Sequence, residues 1–272
     1  MKNTFYHTIF EKTSELPNNW DALATGNIFL TRRYLTVLEA SAPENMQCFF
    51  IAVFQDETIV GIAVAQFIDG TRLETFGDRD KCLKTFVRNF VFKNFSSQIL
   101  FIGNNMLTGQ NAFSFLAEIN AITLLKEIKK AAQTIEKQLK SQGKKVHLLS
   151  LKDFTSAQVS NFKEADFSNF YQFQIQPNMV LEIKPHWHSI DDYVANLNKK
   201  YRDQYKRVRK KGQDIEKRKL EFEEISKLEA VIYDLYLHVA KNAPFNTFLL
   251  NRNHFSSLKQ HLGHNFLFYG YF

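Results

Sequence analysis

The chain has 272 residues, 44% apolar and 14% aromatic, with 35 Lys/Arg against 28 Asp/Glu and a formal net charge of +7. That is enough apolar material for a real core in one large domain or two modest ones, while the two isolated cysteines, Cys48 and Cys82, exclude a disulfide framework and fit a reducing compartment. No window reaches the roughly 18 uncharged apolar residues of a membrane span and the N-terminus lacks a leader-length apolar run, so the chain reads as a soluble cytoplasmic protein, with peripheral contact with an anionic membrane left open.

Residues 4–10 read as a first strand, and 16–23 and 31–40 as short helices. In the second helix Tyr34, Val37, Leu38 and Ser41 share one face. Residues 46–68 form two β-rich runs around Gln55-Asp56-Glu57, the pattern of a hairpin. Residues 81–92 fit either a helix or a strand. Residues 97–102 are a short buried strand running into GNNMLTGQNA. The spacing predicts a long helix over 113–140, with Ala121, Leu125, Ile128, Ala132, Ile135 and Leu139 on one stripe and Gly143 as its stop.

Residues 145–151 make another buried strand and 155–165 a short helix. Residues 169–175 and 179–183 read as strands parted by Gln176-Pro177-Asn178. Helices are expected over 190–211, 225–241 and 254–262. The aromatic run 266–272 reads as a strand. An uncovered edge of that kind is an aggregation hazard, so further strands are expected to follow in a longer protein.

Charge is concentrated in one place. Residues 199–219, KKYRDQYKRVRKKGQDIEKRK, hold 11 Lys/Arg and 3 Asp/Glu, which leaves the remainder of the chain with 24 basic and 25 acidic residues. Such a segment should meet an anion: a phosphate-bearing cofactor, an acidic substrate, a nucleic acid or a membrane surface. Leu197, Tyr201, Tyr205 and Val208 fall on one narrow face expected to pack inward. Lys199, Lys200, Arg202, Lys206, Arg207, Arg209, Lys210 and Lys211 surround it, with Arg offering a planar fork and Lys a point charge.

The element order of strand, two helices, hairpin, strand, Gly-bearing loop and long helix resembles that of the GNAT acyltransferases. LPNNWDALATGNIFLTRRYLTVLEASAP with the hairpin after it is similar to the start of the FemAB-like members, which carry two such units in tandem. QPNMVLEI, SIDDYVANLNKKYRDQYKRVRKKG and LYLHVAKNAPFNTFLLNRNHFSSLKQHLGHNFLFYGYF resemble the entry to their second unit. The resemblance implies an α/β (α+β) fold with a mixed central sheet flanked by helices, a first unit over 1–178 and the start of a second over 179–272. It implies transfer of an acyl group from acyl-CoA to a small or envelope-precursor amine, by direct attack and without a metal.

In that fold the loop after the central strand holds the pyrophosphate of acyl-CoA. This maps cofactor binding onto Gly103, Asn104, Asn105, Leu107, Thr108 and Gly109, where main-chain N–H groups at a helix N-terminus would face an anion. The competing reading is a strand-to-helix turn that needs Gly and Asn for left-handed conformations. The sequence carries one Gly at each end of this loop and no Arg, a departure from the Gln/Arg-x-x-Gly-x-Gly/Ala pattern. Lys199, Lys200, Arg202, Lys206, Arg207, Arg209 and Lys210 are the candidates for holding an anionic substrate.

The remaining chemistry-bearing residues form no signature. His186, His188, His254, His261 and His264 make neither HExxH nor a His-plus-carboxylate set, so no metal site is expected. There is no GxSxG elbow, and neither cysteine has a nearby partner for covalent catalysis. Direct attack of an amine needs only a deprotonated nitrogen, a held carbonyl and one base, and no residue stands out as that base. Two rivals to the acyl-CoA reading are an aminoacyl-tRNA-dependent transferase and a non-enzymatic module whose basic helix docks on RNA or membrane.

Overall fold

The computed structural model describes residues 4–72, 94, 96–154, 156–174, 179–243 and 246–272. In chain order the elements are β1 (Phe5–Phe10), α1 (Trp20–Leu23), α2 (Arg32–Ser41), β2 (Met46–Gln55), β3 (Thr58–Asp69), β4 (Gln98–Ile102), β5 (Phe113–Phe115), α3 (Ala121–Ser141), β6 (Leu148–Leu151), α4 (Ser156–Glu164), α5 (Ile190–Asn196), α6 (Lys199–Lys211), β7 (Lys217–Leu220), α7 (Phe222–Lys227), α8 (Glu229–Asn242), α9 (His254–Leu262) and β8 (Phe268–Tyr271). Together they make a mixed α/β protein. Two compact units form, one from residues up to Asn169 together with Glu221–Phe266, the other from Phe170–Leu220 and Leu267–Phe272. Among the described residues no helix is long and apolar enough to cross a membrane.

The first unit is built on a mixed sheet in the order β1-β2-β3-β4-β6, with β5 also on β3. The expected hairpin forms, β2 pairing antiparallel with β3 from Met46↔Ile68 to Gln55↔Thr58. Its turn places Asp56 at φ 53°, a left-handed conformation that Asp tolerates, and the Asp56 carboxylate accepts the Thr4 N–H at 3.1 Å. Strand alternation divides the core in two. Phe49, Ile51, Val53, Ala63, Ala65 and Phe67 join the cluster under α3. Phe50, Ala52, Ile62 and Val64 pack with Trp20, Leu30, Tyr34, Leu35 and Leu38 of the α1–α2 side. A strand buried on both faces reads as an unbroken apolar run.

The expectation of a helix over 16–23 is corrected. A 3-10 turn at Thr13–Glu15 and the short α1 take its place. The Arg32 guanidinium donates to the carbonyls of Thr13, Leu16 and Pro17 at 2.6, 3.2 and 2.8 Å, while Thr13 and Pro17 also accept the i+3 turn bonds from Leu16 and Trp20, which holds this stretch as separate turns. Fully buried Trp20 gives its indole N–H to the Leu30 carbonyl at 2.8 Å.

The helix expected over 113–140 starts at Ala121 instead. Phe113–Phe115 are recruited as β5, pairing with Gly61–Ala63, because the edge of β3 is free there to complete its ladder. The Asn120 side chain caps α3 by accepting the Ile122 N–H at 2.8 Å. Leu125, Ile128, Ala132, Ile135 and Leu139 are buried as the stripe requires, and Gly143 follows at φ 76°.

In the second unit the strands expected over 169–175 and 179–183 do not form among the described residues. Met179, Val180, Leu181 and Ile183 are exposed; a strand needs a neighbour to satisfy its main chain, and no ladder is offered. The helix expected over 190–211 is two helices. Leu197 is extended, and the Asn198 side chain accepts the Tyr201 N–H at 3.3 Å, capping α6 afresh. A Ser189–Asp192 capping box starts α5. The 225–241 expectation, which falls in the first unit, likewise divides at Leu228 into α7 and α8. The last strand is present as β8, paired antiparallel with β7, which carries Lys217, Arg218 and Lys219 and was not anticipated. Trp187 meets Tyr193 edge to face at 5.4 Å in this unit. Residues 81–92, open between helix and strand, lie outside the described residues.

The packing of α3 on β3 leaves no room at Gly61. A Cβ there would lie 2.3 Å from Cδ1 of Leu124, itself fully buried. Gly61→Ala is expected to destabilise by about 1–3 kcal/mol through overpacking. Urea denaturation of the variant measures this; unchanged stability would show that Leu124 can move aside freely.

Candidate functional site

The site begins where β4 ends. Ile102 pairs with Ala65 and Phe113 with Ala63, so β4 and β5 are one line of strand along β3, interrupted by residues 103–112. Both ends of the interruption bond to the same residue. The Gly103 N–H donates to the Val64 carbonyl at 2.9 Å, and the Val64 N–H donates to the Ala112 carbonyl at 2.8 Å. Gly103 takes φ 131°, a region that favours glycine. On the far side β6 runs parallel to β4 only over Ile99–Ile102. Past that point β6 gives way to Lys152 and Asp153, and Phe154 stacks on Phe113 with centroids 5.8 Å apart. Lys152 Nζ crosses to the carbonyls of Asn104 (3.1 Å) and Leu107 (2.9 Å), and also bonds the Asp153 carboxylate.

A buried polar cluster holds the interruption open. Gln66, with no exposure, accepts the Asn105 N–H at 2.7 Å and donates to the Asn104 side-chain oxygen at 3.2 Å. Asn104 also accepts the Met106 N–H at 2.9 Å and donates to the Tyr34 hydroxyl at 3.1 Å. Burial pushes the Tyr34 phenol up to about 12, opposed by the Asn104 hydrogen bond. Burial also pushes the Cys48 thiol, beside Gln66, up to about 12.

These bonds correct the expected anion cradle. The loop leads into β5 and not into a helix N-terminus, because Phe113 rejoins the sheet before α3 begins. The N–H groups of Gly103, Asn105, Met106 and Leu107 are all used inside the protein. Gly103 and Asn104 are buried, Asn105 and Leu107 half-buried, Thr108 and Gly109 exposed. Asn104 acts as a buried strut, a role that residue type alone does not reveal. The Asn and Gly content does fit the turn reading, with Gly109 at φ 87°.

The basic residues stand in the other compact unit. Lys199, Lys200, Lys206, Arg207, Arg209 and Lys210 are exposed, and half-buried Arg202 donates to the Ala195 and Leu197 carbonyls. The face of Tyr201, Tyr205 and Val208 was expected to pack inward. It does not: no residue of α6 is buried, and Tyr201 and Val208 are 50% and 62% exposed.

Met106, at the tip of the interruption, forms one wall of an open cleft of about 380 Å³, shared with Tyr236, Asn246, Thr247, Leu250 and His254. The segment leading into α9 is tied down by side-chain amides. Asn45 bonds the Thr247 carbonyl at 3.0 Å, and Asn251 and Asn253 bond the carbonyls of Ala42 and Ala40 at 2.7 and 3.1 Å. His254, 7% exposed, places Nδ1 3.0 Å from Ser41 Oγ. The Ser41 hydroxyl proton is given to the Val37 carbonyl at 2.7 Å, so Oγ accepts from Nδ1–H. That assigns the ring proton to Nδ1 and makes Nε2 a bare acceptor, with no hydrogen bond to it among the described residues. Tyr236 is its complement. Its oxygen accepts the Leu250 N–H at 2.9 Å, and its own proton remains to be donated.

The cleft thus presents one acceptor and one donor against an apolar wall, an arrangement that polarises a carbonyl and orients an N–H or O–H group. Sequence reasoning placed His254 only among the histidines that form no metal signature. Its setting depends on Ser41, 213 residues away, which no local pattern reports. No cluster of three His, Cys, Asp or Glu suited to a metal occurs among the described residues.

Burial lowers His254 from 6.5 to about 4. Between those values the unfolded chain binds a proton that the native protein refuses, so this stability is complete above pH 6.5 and is lost as pH falls towards 4. Its size is roughly 3 kcal/mol. Chemical denaturation across this range should show a steeper acid loss for the parent than for His254→Gln; parallel curves would contradict the buried neutral ring. No protein-family model, curated protein or solved structure matches this chain.

Proposed function

We propose that the chain is a GNAT-like, FemAB-like N-acyltransferase that moves an acyl group from acyl-CoA to an amine. The observation that carries this reading is the interrupted strand along β3, with the cleft lined by Tyr236 and His254 at its Met106 rim. An extended thioester arm suits the open cleft beside Met106, where Phe248 and Leu250 can flank it. The pyrophosphate is not assigned to the main-chain N–H groups of Gly103, Asn105, Met106 and Leu107, which are spent internally.

In this reading the Tyr236 hydroxyl donates to the thioester oxygen as charge develops there. His254 Nε2 accepts a hydrogen bond from the amine N–H and turns the nitrogen lone pair towards the carbonyl carbon. A C–N bond forms, the C–S bond breaks, and the proton lost by nitrogen finishes on the departing thiolate. A ring held near 4 does not keep that proton, so His254 orients and relays it, and the amine must arrive neutral.

Thermal shift of the whole chain with a panel of acyl-CoAs, with tRNA as the control, tests the donor. Stabilisation that saturates at one site is expected for a thioester ligand. No shift with any thioester, together with salt-sensitive tRNA binding, would overturn the assignment in favour of an aminoacyl-tRNA-dependent enzyme or an RNA-binding module. With an active donor in hand, His254→Gln and Tyr236→Phe should each lower kcat by about 10²–10³-fold while the donor KM changes little. Losses confined to KM would remove both residues from the chemical step.

A further inference from the structure

The second compact unit carries a surface that the acyl-transfer reading does not use. Helix α6 holds eight Lys/Arg and one acidic residue, Asp203. No ion pair to these cations forms among the described residues. Tyr201, Tyr205 and Val208, at i, i+4 and i+7, make a narrow apolar stripe along the helix, flanked by Arg202, Arg209 and Lys211. Tyr201, Val208 and every cation but half-buried Arg202 are exposed, and Tyr205 is half-buried. In the same unit Met179, Val180, Leu181 and Ile183 are 97%, 85%, 65% and 74% exposed.

We propose that this unit docks on an anionic bilayer, with α6 lying in the headgroup layer, its cations on lipid phosphates and its Tyr201–Val208 stripe against the acyl chains. Basic helices with a thin apolar face bind interfaces in this way, adding apolar burial to charge attraction. Tyrosine suits that boundary, apolar at one end and wet at the other.

The same charge would attract RNA, but the uncharged residues distinguish the two partners. Single-stranded RNA is held by stacking on open aromatic faces. Here Lys217 lies 4.3 Å from the Tyr269 ring centre and 5.9 Å from that of Tyr271, Arg218 covers Phe272 at 4.2 Å and Lys200 lies 5.7 Å from the Tyr201 ring centre, while Tyr171 and Phe173 are open. Val208 and the exposed aliphatics of 179–183 have no surface on which a base can stack. They do have the chemistry of an acyl layer.

Flotation of the full chain with vesicles tests the proposal. Binding is expected to phosphatidylcholine vesicles containing phosphatidylglycerol, weaker with added salt, and not to phosphatidylcholine alone. Removing each cation should cost roughly fivefold in partition. Lys206→Ser, Arg207→Ser, Arg209→Ser and Lys210→Ser together should therefore lower it at least 100-fold. Tyr201→Ser with Val208→Ser keeps every charge and should lower it several-fold. All six positions are exposed, so circular dichroism should find these variants folded. The proposal is overturned by absence of flotation, by undiminished flotation of the Tyr201/Val208 variant, or by binding of a single-stranded RNA oligonucleotide without vesicle binding.

Discussion

The first compact unit depends on one constraint: the edge of β3 is served by two strand fragments that meet at Val64 and nowhere else. A ten-residue departure from a buried sheet would strand main-chain groups unless other donors and acceptors replaced the lost ladder. Gln66 and Asn104 do this, one from the strand and one from the departing chain, and the Tyr34 hydroxyl closes the set from α2. The three are buried, and their hydrogen-bonding atoms face one another. These bonds replace the lost ladder, so the interruption and its polar filling are one device, with the Asn105 side-chain nitrogen buried beside them and left without a partner among the described residues.

The cleft follows from that device. Because the chain leaves the sheet, Met106 is carried to where residues 246–255 pass. Because Asn45, Asn251 and Asn253 fasten that passage to carbonyls around α2 and β3, His254 meets Ser41 with its ring fixed. Backbone geometry near position 64 and side-chain chemistry near position 254 are thereby mechanically linked, though far apart in the chain.

Most regular elements of the first unit could be read from the sequence. The hairpin, α2, β4, β6, α4 and α9 are set by strong local periodicity, and the buried stripe of α3 by residues three and four apart. The failures have a common physical origin. Phe113–Phe115 suit either a helix or a strand, and the free edge of β3 decides for strand. Residues 16–23 are helical only from Trp20, the stretch before it being held as turns under the Arg32 guanidinium. Residues 169–174 and 179–183 have strand composition but no ladder, so composition alone does not order them. Asn198 shows the reverse, a capping residue whose local preference divides a continuous pattern. The loop at 103–109 could be located by its Gly and Asn content, but its wiring to Gln66 and Tyr34 could not, since those partners are 38 and 70 positions away. His254 was invisible as a site for the same reason.

The two tryptophans fall one to each unit: Trp20 sealed in the core under α2, and Trp187 against Tyr193. Intrinsic fluorescence therefore carries one indole from each unit, a blue-shifted emission from fully buried Trp20 and a second signal from half-buried Trp187. A chain with Trp187→Phe has its tryptophan emission from the first unit alone, and one with Trp20→Phe from the second unit alone. Each half of the molecule can then be followed optically while the other stays silent.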